Sequence, residues 1–525
     1  MLKALRSKKE PWDIVIIGGG ATGLGAAVDS ASRGFKTLLL EAHDFAKGTS
    51  SRSTKLVHGG VRYLQQGDVS LVFEALKERG LMLNNAPHLV KNLSFVIPSY
   101  EWWASPFYAI GLKVYDMMAG KLGLGKSNQL DKEETLEYLP NVEQEGLRGG
   151  VIYHDGQFDD ARMAISLART ASYHGATLLN YFKVTSLLKE DDIISGLTVE
   201  DMESGEIHTI KSKVVINATG VFSDSILKME NEEVKEMIKP SQGTHVVVDE
   251  SFLPGKKAIM VPHTSDGRVM FAVPWYNRVV LGTTDVLVDD PSPEPRAMED
   301  EIKFIVDTAG QYLVKDPTEK DILSVFSGLR PLAAPEEGEA KATKEISRHH
   351  KILITTSGLL TIIGGKWTTY RKMAQDAIDH AIMIGALPER KCITENLPIH
   401  GYSQNTNAGE SPMTVYGVEM EDVEELAKEN PLFEGFLSEN LGIKKVQVIW
   451  AVRHELARTV EDILARRTRA LFLDAHESIA IARETAELMA MELDYNPEWI
   501  ENQVKVFTEL ANGYTLEGLR GSAAK

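Results

Sequence analysis

Six residues near the start of the chain, Gly18-Gly19-Gly20-Ala21-Thr22-Gly23, carry the spacing G-x-G-x-x-G. Gly18 permits a tight turn, Gly20 lets the backbone approach a pyrophosphate, and Gly23 lets the following helix lie close to its sheet. The phosphates then meet the amides and the positive end of that helix. Glu41 ends the next apolar run. A carboxylate there can accept hydrogen bonds from ribose hydroxyls and would repel the extra phosphate of NADP. The hexamer alone also fits a glycine turn with no ligand; its place between a strand and a helix, with Glu41 beyond, is what makes it a dinucleotide motif. It does not separate FAD from NAD. Two other features favour FAD. Gly48-Thr49-Ser50-Ser51-Arg52-Ser53-Thr54-Lys55 is dense in hydroxyls and positive charge where a second phosphate or a ribityl chain could run, and Ala218-Thr219-Gly220 offers another glycine turn. An NAD enzyme would more often complete a second set of βαβ repeats in sequence.

The elements that must hold these residues are legible from the apolar pattern. Asp13–Ile17 reads as a buried strand, Thr22–Arg33 as a helix and Lys36–Glu41 as a second strand, which together make a βαβ unit. Val214–Ile216, Ile352–Thr356 and Leu359–Ile363 read as further strands, the last leading through Gly364-Gly365-Lys366 into a helix from about Thr368. Residues 244–248, 258–262, 268–273 and 278–284 are short β-rich runs broken by Gly, Pro and Asn, the texture of an antiparallel sheet. Segments 289–300 and 335–345 read as exposed loops, and helical periodicity takes over after a polar linker at 400–412. The expected fold is α/β: a Rossmann-like FAD-binding domain with an inserted antiparallel substrate-binding sheet, plus a helical C-terminal domain. The cofactor domain would be discontinuous (1–97, 151–235 and 346–400), with a cap segment at 98–150, the substrate sheet at 236–345 and the helical domain at 401–525.

Composition narrows the partners. Hydrophobic residues make up 43% of the 525 and charged residues 25%, which suits a packed multidomain protein. With 75 acidic residues against 57 Lys and Arg, the net charge is −18, and no dense basic stretch suggests nucleic acid. An anionic substrate is repelled by such a chain as a whole, so a phosphate site needs several cationic side chains converging locally. The single Cys392 gives no disulfide or cysteine cluster and fits a reducing, cytoplasmic setting. The basic first ten residues lack a signal peptide's apolar core, and no apolar run approaches the ~20 residues of a spanning helix. His349 and His350 read as surface residues, and neither a zinc pattern nor a supported G-x-S-x-G elbow is present.

Five motifs in order resemble the FAD-dependent, quinone-linked glycerol-3-phosphate dehydrogenases: Lys55-Leu-Val-His58-Gly-Gly-Val-Arg62-Tyr63-Leu, Gly243-Thr-His245, Gly282-Thr-Thr-Asp285, Ser327-Gly-Leu-Arg330-Pro-Leu and Gly364-Gly-Lys366-Trp-Thr368-Thr369-Tyr-Arg371. The resemblance extends over nearly the whole chain, including the helical tail. It implies that Gly18, Gly20, Gly23 and Glu41 contact the adenine half of FAD, that Thr49, Ser50, Ser51 and Lys55 follow its inner segment, and that Gly365, Lys366 and Thr368 border the ring. Gly220 belongs to the same cofactor turns. Arg62, Tyr63, His245, Arg330 and Lys366 match positions around the substrate. Trp367 departs from the family's usual aliphatic residue and is expected to change ring-edge packing.

The residues suit that chemistry. Oxidising sn-glycerol 3-phosphate to dihydroxyacetone phosphate moves a hydride from C2 to flavin N5. Arg62 and Lys366 would hold the phosphate, and Arg330 would stabilise charge growing on the C2 oxygen. A base is needed for the hydroxyl proton; His245 is preferred, and His58 either shares that role or hydrogen-bonds cofactor or backbone. The resemblance implies quinone as electron acceptor. An oxidase using oxygen, an amine, amino-acid or hydroxy-acid oxidase of the same fold, and a non-catalytic flavoprotein stay open, although three converging cations exceed what a carboxylate substrate needs. Trp102-Trp103 through Met118, with Lys113 and Lys121, reads either as a helix packed on the substrate sheet or as one lying on a membrane surface. Arg453, Arg458, Arg466, Arg467 and Arg469 read as a solvated face or domain contact, with anionic lipid as the alternative. Oligomeric state, a homodimer included, leaves no trace in the residues.

Overall fold

A computed structural model describes residues 10–334 and 349–523, apart from 62, 64–66, 103, 263, 265–266, 405–407 and 410. Two sheets organise it. In the first, strands run in the order Lys351–Ile354, Leu360–Ile363, Ile207–Asn217, Trp12–Ile17, Thr37–Leu40 and Thr177–Leu179. The Trp12–Ile17 strand pairs in parallel with both neighbours, Ile16 facing Ile216 on one side and Leu39 on the other. Side chains on both faces of these strands are buried, which is why they read as unbroken apolar runs and not as alternating ones. The glycine-loop helix Ala21–Ser32 covers one face, between helices Asp160–Tyr173 and Tyr370–Ile384. The opposite face closes over a smaller core around Val15, Leu38 and Leu197.

The second sheet is mostly antiparallel. Its centre pairs Ile238–Asp249 with Arg278–Gly282 and with Ser324–Ala333, and it continues through Met270–Trp275 and Ala258–Val261. It also takes in Val90–Ser99 and Gly149–Phe158, which pair along ten residue positions, so this sheet begins well before residue 236. Those two strands meet segments distant in sequence, a pairing that local pattern does not reveal. The segment 289–300 is not a free loop: Glu294 is anchored to Lys47 at 2.8 Å and to Arg52 at 2.9 Å, and it accepts from the Tyr514 hydroxyl at 2.6 Å. The segment 335–345 lies outside the described residues.

The C-terminal helices join the cofactor region through buried charge. A π-helical turn, Asp462–Arg467, carries Arg466 and Arg467, and both guanidinium groups reach the same Asp44 carboxylate, Arg467 at 2.7 and 2.9 Å. Arg162 forms a two-pronged pair with Glu455 at 2.7 and 2.8 Å. Arg469 donates to the Ser51 carbonyl at 2.7 Å and to Asp160 at 3.0 Å. Arg466, Arg467 and Arg469 are therefore domain contacts and not a lipid-facing surface, because their partners lie inside the protein. Arg453 and Arg458 stay nearer the surface, paired with Glu492 and Glu203. His349 pairs with Asp68 and His350 with Asp376, both at 3.0 Å, so they are braced and not freely solvated.

Burial opposes ionisation of Asp44, but Arg467 and Arg466 overcome it and hold the carboxyl down at about 2 against an ordinary 3.8. A folded value below the unfolded one contributes stability that is present above pH 3.8 and is lost as pH falls through 2. Asp44→Asn removes the carboxylate that Arg466 and Arg467 share. Arg466 keeps Glu461 and Asp462, whereas Arg467 loses both of its hydrogen bonds to a carboxylate. The change is expected to cost roughly 3–5 kcal/mol near neutral pH, read as an earlier urea midpoint. The gap to wild type should narrow as the buffer is taken from about pH 5 towards pH 2; a constant gap would place the effect elsewhere.

Candidate active site

The glycine motif works through close approach. Gly18 has φ +109°, and a Cβ there would lie 2.7 Å from the Ala218 carbonyl oxygen, in the next strand's turn. A Cβ on Gly23 would lie 1.9 Å from the Gly18 carbonyl oxygen, so only glycine lets the helix start this near the strand. Gly20 differs: its Cβ would meet only the Ser50 hydroxyl at 3.1 Å, and otherwise faces open space. The Ser50 Oγ accepts from the Ala21 amide at 2.9 Å, and the Glu41 carboxylate accepts from the Gly19 and His43 amides at 2.6 and 2.9 Å. Burial pushes the Glu41 carboxyl up, and those amides pull it back.

A cavity of about 550 Å³ opens here, within the roughly 300–1,000 Å³ of cofactor and ligand sites. Its wall includes Gly18, Gly20, Glu41, Thr49, Ser50, Gly220, Gly365 and Thr368 of the expected cofactor residues. It also includes His58, Tyr63, His245, Arg330 and Lys366 of the expected substrate residues. Arg62 lies outside the described residues. Three expected cofactor contacts are absent from the wall. Gly23 is taken up by helix packing, and Ser51 is buried, its carbonyl accepting from Arg469. Lys55 is also buried, and its ammonium donates to Asp160 at 2.8 and 3.0 Å and to the Ser51 carbonyl at 2.8 Å. Lys55 thus fixes the loop from below; its charge is spent on Asp160 and does not face the cavity.

The donor set fits a dinucleotide: backbone amides at a helix N-terminus, hydroxyls of Thr49 and Ser50, and a carboxylate at the end of the second strand. The open space at Gly20 is the cradle a larger residue would fill. Trp367 is part of this wall; its indole donates to the Ser50 carbonyl at 2.9 Å and packs edge-on against Phe158 and Tyr370. The aromatic substitution therefore braces the cofactor loop.

Beside this cavity lies a second of about 230 Å³, sharing Thr54, Leu56, His58, Tyr63 and Arg330 with the first. Apolar Phe95, Met260 and Phe271 share its wall with Arg268, Asp155 and Asp285. Arg330 comes from the Ser324–Ala333 strand and reaches across Gly243, where a Cβ would lie 2.3 Å from the guanidinium. It donates to the Thr283 hydroxyl at 3.2 Å and pairs with Asp285 at 3.5 Å. Lys366 holds its ammonium 3.8 Å from the centre of the Tyr63 ring. His245, in the Ile238–Asp249 strand, is buried, stacks on Phe326 and shares a 2.9 Å hydrogen bond between its Nε2 and the Thr54 hydroxyl. Its Nδ1 has no hydrogen-bond partner among the described residues. Burial, then Lys55 and Arg330, push His245 well below its ordinary value. Burial, then Lys366 and Arg79, bring His58 to about 3. Both shifts favour the neutral imidazole.

Thr54, Arg268 and the Lys47–Glu294 strut are not legible as parts of the site from the sequence. Thr54 sits in the hydroxyl-rich segment but gains meaning only from the strand that brings His245 to it; Arg268 carries no local motif. Among the described residues no group of His, Cys, Asp or Glu could hold a metal ion.

Comparison with known proteins agrees with this arrangement. Residues 13–371 match a family described as FAD dependent oxidoreductase, and residues 357–499 match one described as C-terminal domain of alpha-glycerophosphate oxidase. The chain is 39% identical over 527 residues to a mitochondrial glycerol-3-phosphate dehydrogenase of Arabidopsis thaliana, covering 92% of this chain and 83% of the relative. It is 38% identical over 519 residues to a mitochondrial glycerol-3-phosphate dehydrogenase of Homo sapiens, covering 92% and 71%. The crystal structure of a glycerol-3-phosphate dehydrogenase from Bacillus halodurans complexed with FAD superposes with a TM-score of 0.78 at 28% identity, covering 98% and 97%. An L-alpha-glycerophosphate oxidase from Mycoplasma pneumoniae with FAD bound shares the fold, with a TM-score of 0.58 at 19% identity over 74% of this chain and 98% of that one.

The two glycines should separate cleanly. Gly23→Ala is expected to lower stability and FAD content together, because helix and strand must part. Gly20→Ala is expected to fold with a native melting temperature as apoprotein yet hold FAD at least ~10-fold more weakly. Flavin-to-protein ratio after dialysis, read beside thermal unfolding, decides this.

Proposed function

The chain belongs to the FAD-dependent oxidoreductases, and within them to the glycerol-3-phosphate dehydrogenases; from that premise we propose that it oxidises sn-glycerol 3-phosphate at C2 to dihydroxyacetone phosphate. The observation that supports this most directly is the gathering of Arg330, Lys366, Tyr63, His58 and His245 on the wall of the first cavity, with Arg330, Tyr63 and His58 shared with the second. Bound FAD supplies a two-electron acceptor for the C2 hydride.

The protein's own residues bind, orient and move the proton. The first cavity is walled by Gly18, Gly20, Glu41, Thr49, Ser50, Gly220, Gly365 and Thr368, which hold the cofactor in this reading, while Gly23, Ser51 and Lys55 support it from behind. Lys366, together with Arg62, attracts the substrate's phosphate against the chain's net charge of −18. Arg330 offers a planar donor to the C2 oxygen as negative charge grows there. His245 takes the hydroxyl proton, with Thr54 orienting its ring; His58 on the shared wall is the second base candidate. The apolar Phe95, Met260 and Phe271 exclude water from the smaller chamber.

Electron delivery to a quinone at a membrane surface is part of the same reading. No described helix is long and apolar enough to cross a membrane. Helix Ala104–Ala119 nevertheless turns an apolar stripe outward: Phe107 is 52% exposed, Ile110 68% and Met117 81%, with Trp102 77% just before it. Together with the exposed Val114, Phe107, Ile110 and Met117 fall at intervals of three or four residues, and the exposed Lys113 and Lys121 lie beside them, the pattern of an interfacial helix. The stripe and the lone Cys392 support placement on the cytoplasmic face of a membrane in this reading.

Anaerobic glycerol 3-phosphate should bleach the bound flavin, with glycerol, lactate and glycine as inert controls; an unbleached flavin overturns the proposal. His245→Asn is expected to slow flavin reduction ~10²-fold or more with FAD content unchanged. A native reduction rate in that variant would move the base elsewhere. Phe107→Glu with Ile110→Glu should abolish cosedimentation with anionic vesicles and leave flavin reduction by glycerol 3-phosphate intact. Stoichiometric hydrogen peroxide without added quinone would select oxygen as acceptor.

A further inference from the structure

The turn that presents His58 and Tyr63 is clamped from beneath by a buried cluster that the reaction does not otherwise require. Strand Leu56–Val57 pairs with Gly156 and Gln157, which brings Asp155 under the next residues of the turn. The Asp155 carboxylate accepts from the Arg79 guanidinium at 2.6 Å and from the Tyr115 hydroxyl at 2.9 and 3.0 Å. The Tyr115 oxygen in turn accepts from the Gly59 amide at 2.8 Å. Asp155, Tyr115 and Arg79 are all buried.

The fit is close. A Cβ on Gly59 would lie 2.6 Å from both the Tyr115 oxygen and Leu76, and one on Gly60, at φ +79°, would lie 2.4 Å from the Tyr63 ring. From the other side the Thr368 hydroxyl reaches the His58 carbonyl at 3.5 Å. We propose that Asp155, acting through Tyr115, positions the turn His58–Gly60 and so sets where His58 and Tyr63 stand in the substrate chamber. Asp155 and Tyr115 are positioning residues, and the inference rests on the proposed reading of that chamber as the place of alcohol oxidation. Arg79 neutralises the carboxylate, so an anionic wall does not face an anionic substrate.

Tyr115→Phe tests this, because it removes one hydroxyl and leaves the Asp155–Arg79 charge pair in place. Stopped-flow reduction of the FAD-loaded full chain by glycerol 3-phosphate should show the limiting rate falling ~10-fold, with FAD content and melting temperature native. Hydrogen exchange at the Gly59 amide should rise in the same variant. Asp155→Asn, which keeps an acceptor for the Tyr115 hydroxyl, should lie closer to wild type in both readouts than Asp155→Ala. A limiting rate within about twofold of wild type in Tyr115→Phe, or a Gly59 amide as protected as before, overturns the inference. A lowered melting temperature with a native rate per bound flavin makes the cluster structural only, and overturns it equally. If wild-type flavin is not bleached, the functional reading fails instead, and the Gly59 exchange rate, which needs no substrate, still decides the clamp.

Discussion

Buried carboxylates answered by buried cations are what the rest of this structure depends on. Asp160 accepts from Lys55 and Arg469, while Asp44 accepts from Arg466 and Arg467, all with negligible exposure. Removing either member of such a pair leaves a charge that water cannot reach, so the geometry is strongly enforced. Each pair also spans long sequence distances. Asp160 binds the cofactor loop through Lys55 and the C-terminal region through Arg469, and both cations converge on the Ser51 carbonyl. The C-terminal helices thereby fix a loop more than four hundred residues earlier in the chain, and Thr49 and Ser50 inherit that rigidity.

The same logic places the side chains proposed to act in the site. His245 and Arg330 stand on adjacent strands of the second sheet, Lys366 on a glycine turn leaving the first, and His58 on a turn pinned to both. Strands hold side chains within narrow limits, whereas a free loop would not, and hydride transfer is sensitive to errors of about 1 Å. Glycine is needed where such groups cross backbone: Gly243 under Arg330, and Gly282 beside His245, where a Cβ would lie 2.5 Å from the ring.

What was legible in the sequence was local or short in range. The βαβ unit, the roles of Gly18 and Gly23 and the strand carrying His245 follow from apolar runs and glycine spacing, because steric needs between neighbours leave a pattern. Which cations face the cavity was legible only in part: Arg330 and Lys366 line it, but Lys55 does not. Lys55 resembles a phosphate contact in its hydroxyl-rich segment, yet Asp160, 105 residues away, claims it. Arg466, Arg467 and Arg469 read as a solvated face or a domain contact, and only Asp44 and Asp160, folding onto them from far earlier in the chain, select the domain contact. A carboxylate that arrives by tertiary folding leaves no mark near the cation it neutralises, and the same holds for Glu294 in a segment that reads as loop.

The cations of the site also govern its bases. Lys55 and Arg330 depress His245, and Lys366 and Arg79 depress His58, in each case after burial. A base held so low is neutral but weak. In the proposed reading, a dianionic phosphate beside Lys366 would offset part of that field, so His58 would become a better proton acceptor with substrate bound. The charge proposed to draw the phosphate in would thus help keep the nearby imidazole unprotonated beforehand, and the phosphate itself would raise its basicity as the hydroxyl proton leaves. A non-phosphorylated alcohol such as glycerol would meet the same groups without that compensation, so in this reading selection for the phosphate would act on the chemical step as well as on binding.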